Sequence, residues 1–109
     1  MHHAEIIAFT RLPPVDAFWS LTAYTAEDLN LIANPIDRYS VGDHASELRN
    51  DDDGGLTPYL KPVPPAGGRA TNWLPTSPES PWLVILRMYR PGAAALDGSW
   101  WCPEISRAD

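Results

Sequence analysis

Two apolar segments decide the fold of this chain: residues 71–75 (TNWLP) and residues 81–91 (PWLVILRMYRP). The second segment holds the longest apolar run of the sequence, and prolines flank it on both sides. A continuous apolar run bounded by turn residues is typical of a buried strand. We therefore expect residues 82–89 to form the central strand of a β-sheet, with the other strand-like segments as its packing partners.

Arg87 is the anomaly within this apolar segment. Because strand side chains alternate between faces, Arg87 shares a row with Leu83, Ile85 and Tyr89. Two interpretations stay open. The guanidinium either reaches solvent or a carboxylate from near the strand end, or it binds an anion in a pocket.

The composition predicts one small all-β domain. Twelve prolines and seven glycines among 109 residues favour many short strands joined by turns, and the length suits a single domain over residues 1–109. A formal charge of −6 with dispersed cations argues against a nucleic-acid partner, which needs a basic patch. Cys102 is the single cysteine, so no internal disulfide is possible. With no signal-like or membrane-spanning segment apparent, we expect a cytoplasmic protein without a membrane span.

Residues 18–24 (FWSLTAY) predict the first strand along the chain with a clear pattern. Trp19, Leu21 and Ala23 occupy one face, and the opposite face also carries aromatic and β-branched side chains. Two apolar faces indicate an inner strand of a two-layer sandwich. Further strands are expected at residues 5–9, 36–42 and 99–105. A hairpin is expected to pair residues 44–48 with 56–61 through a turn at 50–55, and short helical turns are expected near residues 25–33 and at 93–96.

The sequence resembles the DUF1214 family, a domain of unknown function usually found C-terminal to a DUF1254 domain. Six segments match the family's motifs in order: residues 12–24 (LPPVDAFWSLTAY), 34–42 (NPIDRYSVG), 53–60 (DGGLTPYL), 72–75 (NWLP), 86–91 (LRMYRP) and 96–100 (LDGSW). The resemblance implies an antiparallel, jelly-roll-like β-sandwich and little about activity, and we expect a bacterial source. Residues 1–11 match poorly, so the N-terminus is expected to be atypical or truncated. A missing strand would leave an uncovered sheet edge.

The expected function is a non-catalytic module that binds a small molecule, a glycan or a protein partner. Aromatic rings beside amides and arginines suit sugars and anionic groups. The candidate ligand-binding residues are Arg38, Tyr39, Asn72, Trp73, Arg87 and Tyr89.

Two alternatives stay open. The first is a hydrolase acting on a glycosidic or amide bond with paired carboxylates from among Asp16, Asp37, Asp43, Glu47 and Asp97. The second is a remnant of a longer two-domain protein that forms a homo-oligomer through an uncovered edge or the Trp100/Trp101 region. If residues 99–105 are extended, these two tryptophans face opposite ways.

No cofactor and no metal are expected. His2 and His3 lack a third ligand nearby, and the aspartates at 51–53 do not follow the alternate spacing of a calcium loop.

Overall fold

The computed structural model describes residues 4–43 and 48–108. Its strands are β1 (Ala4–Ile6), β2 (Val15–Thr25), β3 (Ser40–Gly42), β4 (Tyr59–Lys61), β5 (Trp73–Pro75), β6 (Trp82–Pro91) and β7 (Ser106–Ala108). A 3-10 helix (Gly67–Asn72) precedes β5, and a short helix α1 (Ala93–Leu96) follows β6. The predicted helical turn at 93–96 is confirmed, and the 25–33 segment begins with a turn at residues 26–28.

The strands form two sheets that pack face to face. Sheet 1 has the order β5-β4-β1-β7, and sheet 2 has the order β3-β2-β6. The predicted all-β class is therefore confirmed, while the jelly-roll connectivity stays a prediction. The pairs are antiparallel except for β4 with β5, which run parallel.

The core lies between the two sheets and draws on both. Sheet 1 and its neighbouring segments contribute Ile7, Phe9, Leu56, Leu60 and Leu74, and sheet 2 contributes Trp19, Leu21, Ala23 and Val41. Because β1 lies between β4 and β7, the N-terminal strand belongs to the middle of sheet 1.

The prediction for residues 18–24 is confirmed and extended. β2 is the central strand of sheet 2, and its inner row of Trp19, Leu21 and Ala23 is buried. Its outer face is partly covered too, since Thr22 is only 7% exposed.

The expectation of a central strand at 82–89 is wrong, because β6 lies at the edge of sheet 2. Its inner-row residues Trp82, Val84, Leu86 and Met88 pack against the core but stay half-buried. An apolar run indicates burial without revealing how many strands flank it. The two segments that decide the fold also belong to different sheets, since β5 lies in sheet 1.

The strand predicted at 36–42 is shortened to Ser40–Gly42 by an asparagine-centred turn. The Asn34 side chain donates to the carbonyl oxygens of Ile32 and Arg38, both at 2.9 Å. Its Oδ1 accepts from the backbone N–H of Ile36 at 3.3 Å and of Arg38 at 2.9 Å. An Asn side chain that takes over backbone partners competes with the ladder of a sheet.

Two other strand predictions also changed. Residues 101–105 are irregular and the last strand is Ser106–Ala108, so the strand predicted at 99–105 is wrong. Trp100 is buried and Trp101 is 81% exposed, the opposite orientations expected for the pair. Of the predicted hairpin, residues 44–47 lie outside the described residues, and β4 pairs with β1 and β5.

Candidate functional site

The outer face of sheet 2 carries an unusual concentration of apolar and aromatic side chains. The register pairs Phe18 with Tyr89, Ser20 with Arg87, Thr22 with Ile85 and Tyr24 with Leu83. Because the alternate residues of β2 and β6 contact the core, these residues face away from it. We call the set Phe18, Tyr24, Leu83, Ile85, Arg87 and Tyr89 the outer patch.

An aromatic stack forms one end of the outer patch. The rings of Phe18 and Tyr89 lie with centroids 4.3 Å apart and planes 28° apart. Both remain open to solvent, at 46% and 42% exposure. The register of β2 and β6 shifts between Val15 and Phe18, and Arg90 adopts a positive φ of 56° at the same level. A register shift of this kind is a β-bulge, which changes the direction of the neighbouring side chains. This bulge lies next to the Phe18–Tyr89 stack.

Arg87 occupies the middle of the outer patch. Its Cζ lies 5.4 Å from the centroid of the Tyr24 ring, within the range of a cation–π contact. Thr22 lies between Ser20 and Tyr24 in the same row of β2 and is only 7% exposed. Within residues 4–43 and 48–108, Arg87 has no hydrogen bond or ion pair to a carboxylate.

β6 also has an open edge. This ten-residue strand pairs with β2 on one side, and no strand among the described residues pairs with its other side. An unpaired edge presents alternate N–H and C=O groups that can bind another strand. The outer patch and this edge are continuous, because Leu83, Ile85, Arg87 and Tyr89 belong to β6.

Arg38, Asn72 and Trp73 lie together at the start of β5, where their polar atoms bind backbone. Arg38 Nη1 donates to the carbonyl oxygens of Thr71 and Trp73 at 2.9 and 3.1 Å. The indole N–H of Trp73 donates to the Lys61 carbonyl oxygen at 2.9 Å. These contacts tie the turn that follows Asn34 to sheet 1.

Asn72 is buried at 5% exposure and uses both ends of its amide. Nδ2 donates to the carbonyl oxygens of Arg49 at 2.8 Å and Thr57 at 3.3 Å. Oδ1 accepts from the Arg49 N–H at 2.8 Å and from the Thr71 hydroxyl at 3.1 Å. The amide therefore joins three separate segments of backbone.

Tyr39 stands apart from the other candidates. Its hydroxyl donates to Asp37 Oδ1 at 3.3 Å. Partial desolvation, the nearby Asp37 charge and this hydrogen bond raise the pKa of Tyr39. The six candidate residues thus divide among the β5 cluster (Arg38, Asn72, Trp73), the outer patch (Arg87, Tyr89) and Tyr39.

A separate pocket of about 180 Å³ opens at the end of β2 and β3. It is lined by Leu12, Trp19, Gly42, Asp43, Leu48, Asn50 and Leu56, which include none of the six candidates. The backbone N–H of Trp19 donates to Asp43 Oδ1 at 3.4 Å. In the sequence, Asn50 falls in a predicted turn and Asp43 is among the candidate carboxylates, but no spacing indicates that these two residues line one pocket.

The carboxylates considered for hydrolysis fall in different parts of the fold. Asp16 is exposed on β2, and Asp37 lies in the turn after Asn34. Asp97 accepts from the Ser99 N–H at 2.9 Å, and its hydrogen bonds with Ser99 lower its pKa. Asp43 lines the pocket, and Glu47 lies outside the described residues. No cluster of three or more potential metal ligands occurs in the described part of the chain.

These features define a class: a small two-sheet β domain in which sheet 2, as far as the structure describes the chain, ends in an unpaired and largely apolar strand. Residues 4–93 match the family described as "Protein of unknown function (DUF1214)". The chain belongs to this family, as its motifs predicted.

Comparison with solved structures supports the fold. A crystal structure of a protein from Vibrio parahaemolyticus matches 98% of this chain with a TM-score of 0.81 and 31% sequence identity. The match covers 26% of that protein's chain, so the present chain spans about a quarter of its length. A search of curated proteins found no match. No helix among the described residues is long and apolar enough to cross a bilayer.

Proposed function

We propose that this chain is a non-catalytic protein-interaction module that accepts an extended segment of another polypeptide along the open edge of β6. The observation that carries the proposal is a ten-residue edge strand, unpaired on one side within residues 4–43 and 48–108, beside an apolar outer face. Strand addition of this kind gains affinity from main-chain hydrogen bonds and specificity from alternate side chains.

The character of β6 supports this function. Proteins commonly protect edge strands by making them short, charged or bulged. β6 spans ten residues, and Trp82, Leu83, Val84, Ile85 and Leu86 form a continuous apolar run within it. The Vibrio protein carries the matching region within a chain about four times as long. A fold used beside further polypeptide in that protein agrees with a partner-binding role here.

Amide hydrogen exchange of the chain alone tests the proposal. In an antiparallel strand, alternate N–H groups point to the same neighbour. We expect the β6 amides that face β2 to be protected and the alternate ones to exchange at nearly the unprotected rate. Ser20 and Leu21, flanked by both β3 and β6, provide the protected internal control. Uniform protection along β6 in a monomeric sample would refute an open edge.

Homo-oligomerisation, through the open edge or through the Trp100/Trp101 region, is the alternative function. Its supporting observation is Trp101, which is 81% exposed beside the buried Trp100. Light scattering across a concentration series, on the unmodified chain and on Trp101→Ser, tests whether the chain forms an oligomer and whether Trp101 lies in the interface. A dimer that Trp101→Ser dissociates supports the Trp100/Trp101 region, whereas a monomer at every concentration argues against this alternative. A cytoplasmic location and a bacterial source remain predictions.

A small-molecule or glycan site is the second candidate function, and the pocket beside Trp19 supports it. Its volume of about 180 Å³ falls below the roughly 300–1,000 Å³ of ordinary ligand sites, so it ranks behind the open edge. Asp43 and Asn50 in its lining supply polar groups for a small hydroxylated ligand, and Asp43 is the one carboxylate among the described lining residues. Thermal-shift measurements with a monosaccharide panel, repeated on Asp43→Asn, test this site.

A further inference from the structure

We infer that the segment bound by β6 carries a carboxylate, flanked by apolar residues, that pairs with Arg87; this inference rests on the proposed function. Arg87 is half-buried in the outer patch, with the Tyr24 ring as its contact. A guanidinium has five N–H donors, and a partly desolvated cation gains most from a bidentate carboxylate. Within the described residues that carboxylate is missing.

The position of Arg87 allows a partner strand to supply the missing group. Arg87 belongs to the edge strand, so a strand added to β6 places its outer-row residues directly beside it. Directly opposed side chains in a sheet have Cβ atoms about 4.5–5.5 Å apart. The guanidinium lies over Tyr24 of β2, the strand on the opposite side of β6 from the open edge. To pair with a carboxylate opposite Arg87 or the adjacent outer-row residue Ile85, the long, flexible Arg87 side chain turns from the Tyr24 ring towards the added strand.

The neighbours of Arg87 define the rest of the partner's pattern. Ile85 and Tyr89 flank Arg87 in the outer row, and Leu86 and Met88 flank it in the inner row. A partner strand therefore meets apolar side chains on both sides of its acidic residue. The expected recognition sequence is one acidic residue within a short apolar, extended segment.

The charges of β6 argue against pairing with the β6 strand of a second copy of this chain. β6 contains two arginines, Arg87 and Arg90, and no acidic residue, although the chain as a whole has a formal charge of −6. In a strand pair, outer-row residues face outer-row residues. The outer row of a second β6 offers Arg87 only apolar, aromatic or cationic neighbours, so self-pairing leaves its guanidinium without a carboxylate.

Two synthetic peptides test the inference with the full chain. One is a ten-residue extended peptide with a central glutamate among valines, and the matched peptide has glutamine at that position. A charge-assisted hydrogen bond contributes more than a neutral one by an amount that corresponds to about tenfold in affinity. We expect the glutamate peptide to bind the unmodified chain about tenfold more tightly by fluorescence anisotropy, and to slow the fast-exchanging amides of β6.

Substitutions locate the effect. Arg87→Gln is expected to reduce the preference for glutamate to less than about twofold, and Arg87→Lys to leave an intermediate preference because a bidentate contact is lost. Arg90→Gln, at the end of the same strand, is the matched control and should keep the preference. Urea unfolding of each variant establishes that it is folded.

The possible outcomes separate the inference from the proposed function. If both peptides protect the β6 amides equally, strand addition at the open edge is supported and the inference of a carboxylate is overturned. Loss of the glutamate preference in Arg90→Gln to the same extent as in Arg87→Gln also overturns it, because the effect is then general attraction to a cationic strand. If neither peptide protects β6, both proposals fail.

Discussion

Replacing Asn72 by alanine tests whether this candidate residue stabilises the fold. The substitution removes three hydrogen bonds that join the backbone of Arg49 and Thr57 to the start of β5, and a fourth from the neighbouring Thr71 hydroxyl. An ordinary hydrogen bond contributes about 0.5–1.5 kcal/mol, and a buried group left without a partner costs about 1–3 kcal/mol. Arg49 is exposed and its backbone groups can bind water, so we expect a loss of about 2–4 kcal/mol in the free energy of unfolding.

Urea denaturation monitored by tryptophan fluorescence measures this loss. With a slope of about 2 kcal/mol per molar urea, the transition midpoint should fall by about 1–2 M. Asn50→Ala is the control, because Asn50 is exposed and its amide makes longer contacts of 3.3 and 3.5 Å with the turn at Gly54 and Gly55. Equal, small effects of both substitutions would refute a scaffolding role and renew the case for Asn72 as a ligand contact.

Two further predictions concern a turn and a carboxylate. Gly55→Ala should lower the free energy of unfolding by about 2–3 kcal/mol in urea denaturation, because a Cβ there overlaps the carbonyl oxygen of Phe9. Gly54 has open space around it but a φ of 88°, so Gly54→Ala should lower the free energy of unfolding by only about 1 kcal/mol. Equal effects of the two substitutions would contradict the packing argument. Ser99→Ala should raise the pKa of Asp97 towards its ordinary value, as followed by NMR titration, since the Ser99 hydrogen bonds lower it. Because the pKa of Asp97 is lower in the folded than in the unfolded protein, the contribution of Asp97 to stability is present above the unfolded pKa and is lost as the pH falls through the folded pKa. An Asp97 titration that Ser99→Ala leaves unchanged would contradict the assignment of the shift to Ser99.

Patterns of alternating side chains predicted the parts of the fold that local sequence controls. β2 has its inner row of Trp19, Leu21 and Ala23 in the core as the period of two required. The turn near residues 51–55 is also present, with hydrogen bonds between Asp51 and both Gly54 and Gly55. Each of these features depends on a few neighbouring residues.

Features that depend on distant partners were not predictable in the same way. The hydrophobicity of residues 82–89 is the same for a central strand as for an edge strand, and only pairing distinguishes them. The 36–42 segment has strand-like residues, but the Asn34 side chain binds its backbone first. The outer patch likewise required the register of β2 with β6, which placed Phe18 beside Tyr89 and Ser20 beside Arg87.

The pairing of β1 with β7 has a consequence for how the chain reaches its folded state. Glu5 lies opposite Arg107, so this ladder joins segments roughly a hundred residues apart in sequence. Pairing between such distant segments raises the contact order of the protein and slows its folding. During synthesis on the ribosome, β6 emerges before β7 can complete sheet 1. The apolar edge strand is then exposed in a nascent chain with an incomplete core, which is when capture by a chaperone or an early-binding partner would protect it from aggregation.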